Sequence, residues 1–384
     1  MPKKKILHII QSLGNGGCEN MMLRTLPLLD GFEHKIITLK ELGELTPAFV
    51  SAGITVETVH CNGFFDISGI RHLQKVVKEE NPHIIITYLF HADILGRLFL
   101  SRCHSELVEE SQPSQHIKTI PIIPFLRTTY NHPKYLIARL LEKATKHLVP
   151  RYLANSEAVK DFYVNKIGVP SEKIAIIPNG IDIAYFDSIA SDPELKKSLG
   201  IKPDDFVIIC VANLHINKGH KYLLEAFEEV YKRNKNTQLL IIGDGAEKNN
   251  LEQQIKNYQS KDNIHFLGRR TDVPQLLKLS DCFVLPTLFE GMSNAIMEAM
   301  AANLPVITTD IPENRELIEN GKTGIFVPVK NNLAITQAIE RIFGNKNQAL
   351  RQSISFESKN IIKEKFRLKN ISKQFNDFLI QVKN

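Results

Sequence analysis

Short apolar runs alternate with amphipathic stretches along nearly the whole chain. From residue 5, KILHII leads into the Gly-rich QSLGNGGCEN and then the amphipathic NMMLRTLPLL, which reads as strand, loop and helix. Further strands are predicted at HKIITL, ITVETV, HIIITYL, KTIPII and RYLANS, with helical segments such as SGIRHLQKVVKEE between them. After IIPNGIDIAYF the pattern restarts with strand DFVIICVANL and helix HKYLLEAFEEVYKR. It continues through strand QLLIIG, helix KNNLEQQIKNY, strand IHFLG, helix VPQLLKLS, strand DCFVLP, helix SNAIMEAMA and strand PVITTD. Strands that alternate with helices build a parallel sheet covered on both faces. The predicted fold class is therefore α/β, with two doubly wound domains facing a cleft. Their boundary falls near residues 178 to 190, giving a first domain at 1–180, a second at 181–363 and a closing helix at 364–384. That tail repeats apolar residues at Ile371, Phe375, Phe378, Leu379 and Val382, a helical spacing whose single apolar face must dock on something.

A length of 384 residues exceeds what one core usually spans, and 43% hydrophobic content is ample for two. The net charge of +6 comes from 48 basic and 42 acidic residues spread along the chain, without a basic tail, so no nucleic-acid partner is expected. Five cysteines, odd in number and free of C-x-x-C spacing, fit a reducing cytoplasm. The start PKKKILHII is basic then apolar, but its apolar run is short for a signal peptide, and HIIITYLFHADILGRLFL is broken by His91, Asp93 and Arg97. The stretch KYLIARLLEKATKH sets Lys134, Arg139, Lys143 and Lys146 around Glu142, beside Leu136, Ile137, Leu140 and Leu141. It can rest on an anionic bilayer, or pack its apolar face on its own sheet with the lysines in solvent. SRCHSELVEESQPSQ, from Ser101 to Gln115, reads as an exposed loop with no chemistry to assign.

The most specific chemistry lies in FEGMSNAIMEAMA. Glu290 and Glu298 enclose Gly291, Met292, Ser293 and Asn294 at the start of a helix, where backbone amides and the helix dipole favour an anion such as phosphate. Glu298 sits among Ala295, Ile296, Met297, Ala299 and Met300, so a buried carboxylate is expected there and needs a partner. A ribose diol, or a buried Lys or Arg, would serve. Two acids beside an anion site suit a ligand with hydroxyls next to phosphates, such as a nucleotide sugar. Lys218, followed by Gly219, lies in the first strand–helix loop of the second domain, where doubly wound folds bind ligands. It reads either as a cation for a diphosphate or as a solvated loop lysine. Gly14, Gly16 and Gly17 form the corresponding turn of the first domain. Glu19 stands where a dinucleotide fingerprint has its third glycine, and GDGAEK at Gly243 fails likewise, so both also read as plain tight turns. His91 follows a buried strand at the end that opens on the cleft, and Asp93 and Arg97 can pair at helical spacing. No D-x-D motif occurs, so no metal is expected at a diphosphate.

With these residues in view the chain resembles the family 4 retaining glycosyltransferases of the GT-B fold, built from two Rossmann-like domains. The likeness spans GGCEN, NSEAVKDFYV, IPNGID, ANLHINKGH, IIGDGAEKNNLE, IHFLGRRTDV, FVLPTLFEGMSNAIMEAMAANLPVITTD and ENRELIENGKTGIFVPV. The resemblance implies transfer of a sugar from a nucleoside-diphosphate donor with retention, without a cofactor. It implies that Glu298 holds the ribose, Glu290 faces the donor sugar, and Gly291 and the amides of Met292 to Ala295 meet sugar and phosphate. Lys218, with Gly219, would neutralise the leaving diphosphate, Gly16 and Gly17 would close over it, and His91 would lie near the anomeric carbon. Arg269 to Val273 would touch the base. The closing helix would cross back onto the first domain. Asn213 stands where the family commonly has a second cation, and His215 or Arg127 could compensate. Asn303 replaces a frequent glycine, which asparagine's tolerance of a left-handed backbone allows. A carbohydrate or lipid-linked carbohydrate acceptor at the inner membrane face, in surface polysaccharide synthesis, is also implied. The alternatives are a nucleotide-sugar epimerase on the same scaffold and a nicotinamide-dependent oxidoreductase.

Overall fold

The computed structural model describes residues 3–101, 104–105, 118–129, 135–190 and 192–382. The chain forms two compact units, Met1–Gly180 with Leu368–Asn384, and Ile181–Arg367. The first contains the parallel strands β1 (Lys4–Ser12), β2 (Phe32–Glu41), β3 (Thr55–Thr58), β4 (Ile84–Tyr88), β5 (Ile122–Leu126), β6 (Tyr152–Ala154) and β7 (Ile174–Ile176), in the order β3-β2-β1-β4-β5-β6-β7. The second contains β8 (Phe206–Val211), β9 (Thr237–Ile242), β10 (Ile264–Gly268), β11 (Cys282–Leu285), β12 (Val306–Thr309) and β13 (Ile325–Val327), in the order β10-β9-β8-β11-β12-β13. Every residue of β4, β5, β9 and β11 is buried, because helices cover both faces of a parallel sheet. This explains why the sequence shows unbroken apolar runs instead of alternation.

In each sheet the strand order reverses beside the first strand of the unit, between β1 and β4 and between β8 and β11. Loops leaving the two neighbouring strands there diverge to opposite faces, which opens a crevice at the C-terminal strand ends. The helices that matter below are α1 (Gly17–Thr25), α2 (Ile67–Glu80), α3 (Leu89–Leu95), α4 (Leu136–Thr145), α5 (His220–Arg233), α6 (Val273–Lys278), α7 (Asn294–Ala301), α8 (Gln348–Lys365) and α9 (Leu368–Gln381).

The tail helix α9 buries Ile371, Phe375, Phe378 and Leu379 in the first unit's core with Met22, Tyr88 and Phe125, and the Phe375 and Phe125 rings meet edge to face at 5.8 Å. Each such side chain contributes about 1.5–3 kcal/mol on burial, which holds the tail on this unit. Phe366 is still part of the second unit's core. Residues 364–367, grouped with the tail in the sequence analysis, therefore pack with the second unit.

A buried ion pair orients α4. Arg97 and Glu142 are both fully buried, and the guanidinium donates to the carboxylate and, at 3.2 Å, to Thr145 Oγ1. Tyr163 OH donates to the other Glu142 oxygen at 3.2 Å. Arg97 thus does not take Asp93 as its partner. Asp93 is itself buried, and burial pushes its carboxyl well above the usual carboxylate range. Because Glu142 and Thr145 turn inward, Leu136, Ile137 and Leu140 turn outward at 54%, 73% and 56% exposure. The apolar stripe of this helix is not packed on its own sheet. Lys134, and residues 102–103 and 106–115 of the acidic stretch after Ser101, lie outside the described residues.

Removing one member of a buried pair leaves an uncompensated charge. Glu142→Ala is expected to lower unfolding free energy by about 3–5 kcal/mol in urea titration, and Arg97→Met with Glu142→Met to recover most of it. A loss below about 1 kcal/mol in the single variant, the size of an exposed pair, would contradict the assignment.

Candidate active site

In the second unit the loops after β8 and β11 are fastened together at the switch point. The Asn217 carbonyl accepts from the Leu288 amide at 2.7 Å and from Thr287 Oγ1 at 3.1 Å. Thr287 is fully buried, and its own carbonyl accepts from Thr309 Oγ1 on β12. Gly219, at φ +71°, lies so close to the Pro286 carbonyl that a Cβ would come within 2.1 Å of its oxygen. Only glycine fits, for space and for backbone angle.

This fastening brings Lys218 Nζ to 2.6 Å from Glu290 Oε1, with the two side chains 20% and 10% exposed. Lys218 is thus not a solvated loop lysine; the cation is held on a glutamate. His220, the first residue of α5, lies beside them, and neither ring nitrogen has a hydrogen-bond partner among the described residues. Burial, then the charge of Lys218, pulls its pKa down to about 4, so it is neutral at neutral pH. Cys210 on β8 is pushed up to about 12 by burial. Sequence reading passed over His220, and its place directly after Lys-Gly at a helix start was the available signal.

Helix α7 begins at Asn294 with Ser293 as its cap, the Ser293 hydroxyl accepting from the Ile296 amide at 3.4 Å. Gly291, Met292 and Ser293 are buried, while Asn294, Ala295 and Glu298 are half-buried along one stripe. Glu298 is therefore not enclosed as its apolar neighbours suggested. Ile296, Met297, Ala299 and Met300 take the core, and the carboxylate emerges on the face that carries the first-turn amides.

The other expected donor residues sit at neighbouring strand ends. Asn213 is exposed after β8, its carbonyl accepting from the His215 amide at 2.8 Å, and the His215 carbonyl accepts from the Lys218 amide at 2.9 Å. His215 is exposed on the turn that carries Lys218. Gly243, at φ +136°, abuts the Ala212 carbonyl, and Gly245 abuts Leu214. The GDGAEK glycines thus serve backbone packing. Arg269 is exposed after β10, and Val273 opens α6 behind Asp272, which Arg270 clamps through Nε at 2.8 Å and a terminal nitrogen at 2.6 Å.

The first unit's switch point carries Gly16, Gly17 and His91. Gly16 caps α1, and a Cβ there would meet the Glu19 carboxylate; burial raises the Glu19 pKa. Leu89 turns from β4 into α3 at φ +67°, a left-handed conformation costly for leucine. That elbow leaves His91 exposed, stacked on Phe64 at 5.6 Å, and partial burial lowers its pKa. Arg127 donates to Asn179 Oδ1 at 2.9 Å, so it is engaged within its own unit, whereas His215 shares the turn of Lys218.

The family description "Glycosyltransferase Family 4" matches residues 22–185, and "Glycosyl transferases group 1" matches residues 191–360. An Escherichia coli UDP-Gal:alpha-D-GlcNAc-diphosphoundecaprenol alpha-1,3-galactosyltransferase is 29% identical over 356 residues, covering 90% of this chain and 89% of that one. The Acholeplasma laidlawii alpha-monoglucosyldiacylglycerol synthase is 31% identical over 54% of this chain and 57% of its own. In fold, the crystal structure of Anabaena Alr3699/HepE in complex with UDP and glucose superposes with a TM-score of 0.82 at 21% identity, covering 99% of this chain and 100% of that one. One relative is a transferase and the other a synthase by name, and neither name supports the epimerase or the oxidoreductase alternative. With two doubly wound parallel-sheet units of the GT-B fold and both family descriptions met in order along it, this chain belongs to the group 1, family 4 glycosyltransferases.

Proposed function

We propose that the enzyme transfers a sugar from a nucleoside-diphosphate sugar to a lipid-linked carbohydrate, with retention and without a metal ion. The observation that carries this is the Lys218–Glu290 pair at the switch point of the second unit, next to the open stripe of α7. A diphosphate brings more negative charge than one carboxylate and draws Lys218 toward itself. Glu290, released, accepts from a hydroxyl of the donor sugar. Gly291, Met292, Ser293, Asn294 and Ala295 offer amides to sugar and phosphate, Glu298 accepts from the ribose diol, and Arg269 to Val273 line the base. Gly219 keeps the lysine's turn in place.

In the reaction the bond between the anomeric carbon and the diphosphate oxygen breaks, and its electron pair leaves on the diphosphate. The acceptor oxygen bonds to the anomeric carbon from the same face, and its proton passes to the leaving phosphate. The main demand is stabilisation of charge on the leaving group, which Lys218 and the end of α7 meet. The first unit takes the acceptor at its own switch point beside His91, which serves the anomeric carbon, while Gly16 and Gly17 keep the phosphate role that the family resemblance implies. The galactosyltransferase named above, whose acceptor is a diphosphoundecaprenol, and the glycolipid synthase support a lipid-linked acceptor.

Lys218→Ala is expected to lower the transfer rate by roughly 10²–10³-fold, as loss of a leaving-group donor does. Glu298→Ala is expected to weaken nucleoside diphosphate binding by about tenfold or more in calorimetric titration. Wild-type rate and affinity in both variants would overturn the roles.

Among the described residues no helix is long and apolar enough to cross a membrane. The finer location we propose is peripheral, at an anionic membrane face, through α4. Leu136, Ile137 and Leu140 face outward, Lys143 is exposed beside them, and the one acid of the helix is turned inside. Ile137→Glu with Leu140→Glu is expected to cut co-sedimentation with phosphatidylglycerol vesicles at least about tenfold. Equal sedimentation of wild type and variant, or none by wild type, would exclude this contact.

A further inference from the structure

We propose that the loop from His60 to Ile67 is a platform for the apolar chain of the acceptor, with Phe65 and Ile67 touching the chain and Lys40 with His91 taking the anionic linkage. This rests on the reading of the enzyme as a transferase to a lipid-linked carbohydrate. The loop leaves β3 at the C-terminal end of the first sheet and is pinned at both ends. The Cys61 amide donates to the Leu39 carbonyl, and the Asp66 carboxylate accepts from the Asn62 amide and the Gly69 amide, each at 2.9 Å. Gly69 is required, because a side chain there would run into the Cys61 backbone. His60, at φ +51°, directly before the first pin, and Gly63, at φ +149°, between the pins, take positive backbone angles.

The consequence is a fixed division of labour between two adjacent phenylalanines. Phe64 turns inward and lies parallel to the His91 ring, with an interplanar angle of 13°, while Phe90 meets Phe64 edge-on at 6.1 Å. Phe65 turns outward and is 95% exposed, and Ile67, at the start of α2, is 63% exposed. A loop pinned by hydrogen bonds that holds Phe65 and Ile67 together in water leaves two neighbouring apolar side chains open to a contact. Phe65 is therefore not exposed through slack in the chain.

Charge runs in the order that a lipid-linked acceptor needs. Lys40, at the end of β2, lies beside the start of the platform, where its carbonyl accepts from Thr58 Oγ1 at 3.4 Å, and its charge adds to burial in lowering the His91 pKa. Strand alternation turns Glu41 to the other face. The Asp66 carboxylate is taken up by backbone amides, which hold its pKa down. Moving outward, the site offers histidine and cation first and apolar surface afterwards. An acceptor presents its sugar hydroxyl, then its phosphates, then its hydrocarbon chain.

The test uses the full-length enzyme in detergent solution and the variant Phe65→Ser with Ile67→Ser, both exposed positions, with folding checked by thermal melting. Two acceptors carry the same diphosphosugar, one on a long polyprenyl chain and one on a short water-soluble alkyl chain. The expected result is a KM for the long-chain acceptor raised on the order of tenfold, with kcat, short-chain KM and nucleoside diphosphate Kd unchanged. An unchanged long-chain KM overturns the platform and leaves the transferase reading standing. A parallel rise on both acceptors also overturns it, since the loop would then serve the sugar. Loss of vesicle sedimentation without any change in KM assigns the two residues to the bilayer instead. Wild-type enzyme that binds nucleoside diphosphate but transfers to neither acceptor overturns the acceptor reading and the platform with it.

Discussion

The meeting of Lys218 with Glu290 in the second unit depends on one backbone carbonyl. Asn217 O accepts from both Leu288 N and Thr287 Oγ1, and so joins the loop after β8 to the loop after β11. Thr287 is anchored in turn by Thr309 on β12, which ties the junction to a third strand. Gly219 against the Pro286 carbonyl removes the remaining slack. Lys218 and Glu290, 72 positions apart, meet because their loops cannot separate. The ion pair is a result of the fastening more than its cause, since a part-exposed pair supplies little net stability of its own.

The same geometry recurs in the first unit with different chemistry. Both sheets reverse strand order next to their first strand, and both place a glycine-containing turn after that strand and a chemically distinctive loop after the neighbour across the switch point. In the second unit these are Lys218-Gly219 and Glu290. In the first they are Gly16-Gly17 and His91, the latter carried by the strained turn at Leu89. Neither switch point needs a special fold, because divergent loops at that place expose polar groups that a buried sheet elsewhere cannot. The difference lies in charge: an ion pair in one unit, an aromatic stack with a cation nearby in the other.

The strands were legible because a sheet covered on both faces demands runs such as IIIT and QLLII, and the restart after IPNGID marked the second sheet. The run KTIPII was placed early: β5 spans Ile122–Leu126, since Pro121 and the segment before it lie outside the main sheet. Side-chain partners were less legible. Local spacing offers Asp93 to Arg97, whose partner Glu142 comes from a helix 45 positions later. That single pair also rotates α4, which periodicity alone would have turned apolar face inward. The half-exposure of Glu298 is illegible for a related reason. In α7 the residues that share its open stripe are Asn294 and small Ala295, so composition made the helix look apolar all round.

If Lys218 is the cation for a diphosphate, as proposed above, its contact with Glu290 has a catalytic meaning. A lysine free in a loop would have to lose several rotatable bonds' worth of freedom on meeting a diphosphate. Lys218 has lost it already, and its turn is fixed by the hydrogen bond from its own amide to the His215 carbonyl and by those that the Leu288 amide and Thr287 Oγ1 donate to the Asn217 carbonyl. Exchange of one anion for another then requires little movement, which is the condition under which a fixed charge stabilises a transition state effectively. In the donor reading proposed above, diphosphate and Glu290 compete for the same ammonium group, so donor sugar and leaving group are recognised by neighbouring side chains of one pair.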